Sequence, residues 1–189
     1  MGAFPLDVRE ANVDAVYAGG AKWLMALQGV SFLWLRANLL DRIALRMPGW
    51  RSAQDMWNFL DYDQPPAADA SRYEGGTPNF LGALSLATSI DVLAAARLDR
   101  IAGHVLALTD RLAEGLQSRG YTIVGDRSRE ATKSGILTFH RDDVDPIALG
   151  KRLQQAGIVT THRQTGIRLA PHGHNTAEEV DAILEAVPN

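Results

Sequence analysis

The stretch Arg72-Tyr73-Glu74-Gly75-Gly76-Thr77-Pro78-Asn79 divides the sequence into two kinds of chain. Before it, residues 48–78 hold Pro48-Gly49, Pro65-Pro66 and Gly75-Gly76, all turn and breaker pairs. A stretch this long without regular structure is unusual inside a compact domain; such loops are usually functional or cover a neighbour. After it the pattern turns helical. Leu81, Leu84, Leu86 and Ile90 lead into Leu98, Ile101, Val105, Leu108, Leu112 and Leu116. The later set recurs at helical spacing and predicts one face of a long amphipathic helix. Thr77 has two readings. It suits a helix N-cap, with Pro78 at the first helical position. The same helix start, with unpaired N–H groups, a hydroxyl and adjacent glycines, also suits an anion.

Toward the N-terminus, residues 15–17 predict a short buried strand stopped by Gly19-Gly20, and residues 30–35, with Phe32 and Trp34, predict a second. Residues 38–46 predict a short helix. Between the strands, Lys22 opens the run Lys22-Trp23-Leu24-Met25-Ala26-Leu27. Most lysines are solvated. The apolar residues around this one predict burial, which disfavours an ammonium ion, and a neutral amine can attack a carbonyl to form a Schiff base.

Toward the C-terminus, strands are expected at residues 121–124, 135–139, 158–161 and 166–170. Helices are expected at 145–156, with Pro146 in the first turn and Gly157 beyond the end, and at 176–186, where Thr176 and Glu179 have capping-box spacing. Together these read as a small α+β domain with a helix-backed sheet. In Gly166-Ile167-Arg168-Leu169-Ala170-Pro171-His172, strand alternation turns Arg168 away from Ile167 and Leu169. Arg168 is then either an ordinary surface charge or a guanidinium clamp for a carboxylate. His172 and His174 have no third ligand at suitable spacing, and no metal is expected. Ser31 and Ser85 lack a nucleophile-elbow context, so a hydrolase triad is unsupported.

Composition narrows the classes. The chain has 189 residues, 46% hydrophobic and 22% charged, which is the balance of a globular protein of one or two domains. A net charge of −3 leaves no basic excess to neutralise phosphates, so no nucleic-acid partner is expected. The absence of cysteine excludes a disulfide scaffold, a cysteine metal site and a cysteine nucleophile, and fits a cytoplasmic location. The most apolar run, residues 21–35, is short for a membrane span and contains Lys22, Gln28 and Ser31, so no membrane association is expected. Met1-Gly2-Ala3-Phe4-Pro5-Leu6 lacks the basic and apolar regions of a signal peptide, and Leu6 stands where myristoylation needs Ser or Thr.

Taken in order, these segments resemble the class V aminotransferase family of pyridoxal-phosphate enzymes. That family includes small-molecule aminotransferases, cysteine desulfurases, isopenicillin N epimerase-like proteins and kynureninases. Gly2-Ala3-Phe4-Pro5-Leu6-Asp7-Val8 resembles the stretch after the family's Asp-x-x-Gln motif. Asp14 through Lys22-Trp23-Leu24, with Gly29 and Phe32-Leu33, resembles its lysine segment, and Pro48-Gly49-Trp50 its following loop. Residues 72–79 resemble its R-[FY]-E-x-G-T-P-N motif. Gly157-Ile158-Val159, Arg163, Arg168-Leu169-Ala170-Pro171-His172 and Asn175-Thr176 resemble its C-terminal R-x-S-P-H-x-x-N-T block. The pattern lies nearest the aminotransferase and epimerase-like members.

The resemblance implies an α/β chain that is the C-terminal part of a pyridoxal-phosphate-dependent transferase fold. Residues 1–95 would be a partial large, cofactor-binding domain with the lysine segment and crossing loop, and residues 96–189 a small C-terminal domain. Lys22 would hold the cofactor as a Schiff base and move the substrate's α-proton. Thr77 would reach the cofactor phosphate of the neighbouring subunit in a homodimer with a shared active site. Arg168 would bind the α-carboxylate of an amino-acid substrate. The expected activity is of aminotransferase type; the alternatives are a non-catalytic remnant or small-domain fragment without cofactor, or an epimerase or lyase of the family. By the same resemblance the chain begins late. The aspartate for the pyridine nitrogen, the stacking aromatic residue and the main phosphate loop are expected upstream of Met1. Gly19 and Ala21 stand where many relatives have serine and histidine. Ala26, Leu27 and Ser31 replace parts of a G-P-x-G-x-G turn, and Ala170 replaces a serine. The lack of a cysteine before Arg168 argues against cysteine desulfurase chemistry.

Overall fold

Val16 faces Trp34, and Tyr17 faces Leu33, across an antiparallel pair formed by β1 (Ala15–Gly19) and β2 (Ser31–Leu35). The computed structural model describes residues 1–163 and 165–189. It resolves into two compact units, Met1–Ala95 and Ala96–Asn189.

In the first unit both expected strands form, but only Val16 of β1 is buried, and β2 is at most half-buried. The expectation of a buried strand fails for a geometric reason: a lone pair of strands has too little partner surface to cover its faces. The helix expected at residues 38–46 shrinks to one 3-10 turn, Ala37–Leu39, with no buried residue to anchor it. Short helices without a packed face are marginal in water. Residues 48–78 carry two more 3-10 turns, Trp50–Ser52 and Ala70–Tyr73. The buried Ser52 hydroxyl accepts from the Gly49 amide (3.0 Å) and donates to the Glu74 carbonyl (3.1 Å). At Gly49 an added Cβ would fall on the Gly75 carbonyl, so the two backbones touch there. Helix α1 (Phe80–Ala96) follows; it buries Gly82, Leu86 and Leu93 but leaves Phe80, Leu81, Leu84, Ile90 and Val92 exposed.

The helical stretch after Asn79 forms as two helices, and the long amphipathic one read over Leu98 to Leu116 is the second. Arg97 has φ of +66°, and α2 (Leu98–Gln117) starts beyond it. A non-glycine residue at positive φ leaves no i→i−4 ladder through that point. Neither Gly nor Pro marks the break in the sequence.

In the second unit, α2 buries Ile101, Val105, Leu108, Leu112 and Leu116, the stripe read from the sequence. The remaining elements are β3 (Thr122–Val124), β4 (Leu137–His140), α3 (Pro146–Gln155), β5 (Thr161–Arg163), β6 (Gly166–Leu169) and α4 (Ala177–Ala186). The strands form one antiparallel sheet in the order β3-β4-β6-β5. Leu137, Phe139, Ile167 and Leu169 share its covered face with Leu112, Leu116, Leu149, Leu153 and Val180 from the helices. Each fully buried side chain of this kind contributes about 1.5–3 kcal/mol. The expected caps form: Asp145 accepts from the Ile147 and Ala148 amides, and Thr176 and Glu179 make the reciprocal box. Among the described residues, no single helix is long and apolar enough to cross a membrane.

Candidate functional site

Lys22 sits in the loop 20–30 that joins β1 to β2. The Gly20 amide donates to the Val30 carbonyl (2.8 Å), and the Ala26 amide to the Gly20 carbonyl (2.9 Å), so the loop is closed at its neck. The Met25 amide donates to the Lys22 carbonyl (2.9 Å), making a tight turn. Lys22 is exposed, contrary to the burial its apolar neighbours predict. The turn explains the difference: it carries Leu24 inward, where it is buried, and sends Lys22 outward. Among the described residues the Lys22 amine has no hydrogen bond and no ion pair. It opens on a cleft of about 560 Å³ lined by Tyr17, Gly19, Gly20, Gln28, Gly29 and Ser31, together with Ala21 and Val30. A larger cavity of about 730 Å³, walled by Trp50, Met56, Phe59 and Tyr62, shares no lining residue with it.

Thr77 is exposed, and its hydroxyl makes no hydrogen bond among the described residues. The N-cap reading of Thr77 is corrected. The helix begins at Phe80, and Asn79 caps it by accepting the Gly82 amide at its Oδ1 (2.9 Å). Asparagine is at least as good a cap as threonine, and it lies next to the first helical residue. The strap before Thr77 is tied down. Arg72 donates to the carbonyls of Ala67 (2.7 Å) and Leu40 (2.8 Å), and Arg51 pairs with Glu74 (2.8 Å).

Arg168 belongs to the second unit. It lies on β6 between Thr138 of β4 and Thr161 of β5, on the sheet face opposite buried Ile167 and Leu169. Its guanidinium has no hydrogen bond or ion pair among the described residues, and it is half-buried. Its neighbours across the strands are two short neutral side chains. A planar fork without a carboxylate partner on such a face can take one from a ligand. The following turn is held by hydrogen bonds. The His172 amide donates to Asn175 Oδ1 (2.8 Å), Asn175 Nδ2 donates to Glu179 Oε2 (2.9 Å), and His104 Nε2 lies 2.8 Å from the Asn175 carbonyl. His172 and His174 stack with centroids 5.0 Å apart. Among the described residues no group of three His, Cys, Asp or Glu side chains is placed to hold a metal.

The charged cluster of the second unit lies elsewhere. Asp110 receives Arg127 (2.7 Å) and Lys133 (2.9 Å). Burial alone would raise the Asp110 carboxyl, but hydrogen bonds from Lys133 and Arg127 outweigh it and hold it below the usual carboxylate range. Hydrogen bonds to Glu130 and Asp110 raise the Lys133 ammonium in turn.

Lys22 and Thr77 thus fall in one unit and Arg168 in the other. Within the first unit, three side chains that were not singled out as functional join the segment after Thr77 to the lysine loop. Asn79 Nδ2 donates to the Gly29 carbonyl (3.2 Å), the Leu27 amide donates to Ser85 Oγ (3.0 Å), and Ser89 Oγ donates to the Met25 carbonyl (3.1 Å). Two serines one turn apart on a largely apolar helix are the sequence signal for them.

The fold is that of solved pyridoxal-phosphate-dependent transferases. An apo cysteine desulfurase from Thermococcus onnurineus matches with a TM-score of 0.88 at 23% identity, over 97% of this chain and 48% of that one. The cystine C-S lyase C-DES, solved with its product cysteine persulfide, matches at 0.83 and 21% identity, over 97% and 48%; another C-DES structure has glycine covalently linked to the PLP cofactor. The Aminotransferase class-V family matches residues 1–183, and the chain belongs to that family. An uncharacterized aminotransferase of Bacillus subtilis is 26% identical over 186 residues, 98% of this chain and 48% of the relative. The chain spans about half the length of the curated relatives it matches.

Proposed function

We propose that this chain serves a pyridoxal-phosphate-dependent enzyme that acts on an amino acid, of aminotransferase type, with Lys22 as the residue that holds the cofactor. The observation that carries this reading is the Lys22 amine, unpartnered among the described residues, at a glycine-lined cleft. The residues present fit an anionic aldehyde. The cleft supplies a primary amine, the Ser31 hydroxyl, the Gln28 amide and small glycine walls, and no carboxylate lines it. When bound, the cofactor supplies an electron sink for the bond-breaking at the substrate's α-carbon.

The chain's own residues do the rest. Lys22 would hold the cofactor through its amine, and the free amine would move a proton at the substrate's α-carbon. Arg168 holds the substrate α-carboxylate through its two-pronged fork, flanked by Thr138 and Thr161. Thr77 offers an uncommitted hydroxyl to the cofactor phosphate of a neighbouring subunit, which makes a homodimer part of the proposal. With no cysteine in the chain, no step uses a thiol of its own.

The test is chemical trapping. The chain is incubated with pyridoxal phosphate, reduced with borohydride and mapped by mass spectrometry. The expected label is on Lys22, ahead of the other two lysines, Lys133 and Lys151. Lys133 is an internal control because its ammonium is ion-paired. An equal spread over the three lysines, or a label that survives in Lys22→Ala at the same yield, overturns the reading. Adding an amino acid before reduction separates reaction types: conversion of cofactor to its aminated form supports the aminotransferase, whereas release of ammonia or inversion at the α-carbon points to a lyase or an epimerase.

A further inference from the structure

A serine inside a helix ordinarily returns its hydroxyl to the carbonyl four residues back. Thr88 of α1 does this, donating to Leu84 (3.0 Å). Ser85 and Ser89 instead reach segments 58 and 64 residues away in sequence, and Asn79 reaches 50. All three land on residues 25–29, the second half of the lysine loop.

That half of the loop needs support. Met25 has φ of +53°, a region that a residue with a side chain enters at a cost of roughly 1 kcal/mol, and Gly29 has φ of +81°. Ser89 takes the carbonyl of the strained Met25 itself. Ser85 takes the next-but-one amide, at Leu27, and Asn79 takes the Gly29 carbonyl. Lys22 is joined to the same residue, since its carbonyl accepts the Met25 amide. Helix and loop also lie close together. At Gly82, which is buried, a Cβ would strike the Asn79 side-chain amide and the Val30 side chain.

We propose that Asn79, Ser85 and Ser89 form a polar seam that fixes where the Lys22 amine stands, and so act as positioning residues for the cofactor-holding lysine. The assignment rests on the Lys22 reading above. The seam binds no ligand. It sets the backbone of residues 22–29, and through Asn79 it joins that loop to the strap bearing Thr77.

One substitution separates the seam from the helix cap. Asn79→Asp keeps the Oδ1 acceptor for the Gly82 amide but removes the Nδ2 donor to Gly29. It is combined with Ser85→Ala and Ser89→Ala in the full chain, and helix content is followed by circular dichroism. Two readouts follow. The first is hydrogen exchange of the Leu27 amide, which the seam protects. The second is the rate of pyridoxal-phosphate trapping at Lys22 against cofactor concentration. In the triple variant the saturating rate is expected to fall about tenfold, the equivalent of one to two net hydrogen bonds, while the half-saturating concentration holds. Ser85→Thr with Ser89→Thr, which keeps both hydroxyls, is expected to restore the rate.

Wild-type trapping kinetics alongside an unprotected Leu27 amide would overturn the proposal. So would a loss that the threonine pair fails to restore. If Lys22 of the unaltered chain takes no preferential label, the cofactor reading is what fails. The seam is then judged by exchange alone: faster exchange at Leu27 in Ser85→Ala and at its neighbours in Asn79→Asp upholds it, and unchanged protection removes it.

Discussion

Phe139 and Leu116 of the second unit are wholly shielded from solvent, whereas Leu60 and Tyr62 of the first stand 89% and 91% exposed. The contrast follows from pattern and not from apolar content. In the second unit, helical spacing on α2 and strand alternation on β4 and β6 point Leu108, Leu112, Leu116, Leu137, Phe139, Ile167 and Leu169 at one shared interior. In the first, α1 is apolar at most of its positions and leaves Phe80, Leu81, Leu84, Ile90 and Val92 exposed, and the β1–β2 pair covers little. Of the candidate residues, only Arg168 stands on a strand of the packed core. The second unit carries the packed core, and the first carries Lys22 and Thr77 on loops held by individual hydrogen bonds. Functional loops are commonly drawn from the less stable parts of a structure.

The packed core of the second unit is the part most sensitive to truncation. Phe139→Ala is expected to destabilise the second unit by about 3–5 kcal/mol, read as a lowered denaturant midpoint. A Leu60→Ser change, by contrast, is expected to stay within about 0.5 kcal/mol of the parent in the same assay. Next comes Asp110, whose loss leaves Arg127 and Lys133 without their shared carboxylate. Because its pKa is depressed in the folded state, its contribution is present above the ordinary carboxylate value of about 3.9 and is lost as pH falls through the folded value. Thermal melts from pH 7 down to pH 3 should show a steeper acid loss in the parent than in Asp110→Asn. A parallel loss in both would show that the cluster does not govern acid stability. The smallest of the destabilising changes is Thr176→Ala, expected to cost about 1 kcal/mol through the lost α4 cap and to leave Lys22 trapping untouched.

Where local chemistry decides the structure, the sequence is readable. The Ile101 to Leu116 stripe, the Asp145-Pro146 helix start, the Thr176–Glu179 box and the placement of Arg168 opposite Ile167 and Leu169 all depend on residues a few positions apart. The misses share a different cause. Lys22 is exposed because the turn through Met25 directs it outward, and positive φ at a methionine has no sequence mark. The same holds for Arg97, which separates α1 from α2 without glycine or proline. Asn79 displaced Thr77 as the cap because its side chain is also wanted by Gly29, a residue 50 positions away. Ser85 was visible only as a non-nucleophile; its partner, the Leu27 amide, appears once the loop is folded against α1.

The Ser52 hydroxyl has its donor and acceptor capacity both taken, by the Glu74 carbonyl and the Gly49 amide, while the Ser52 carbonyl accepts the Ala67 amide (2.8 Å). Residues 53–73 are therefore an excursion pinned at both ends, much like an Ω-loop. Closing such an excursion becomes only slowly harder as it grows. Insertions or deletions at its tip, around Asp61, can therefore accumulate without shifting Thr77, which follows the pin, so this part of the chain is free to change in length and surface character while the candidate residue beyond it stays in place.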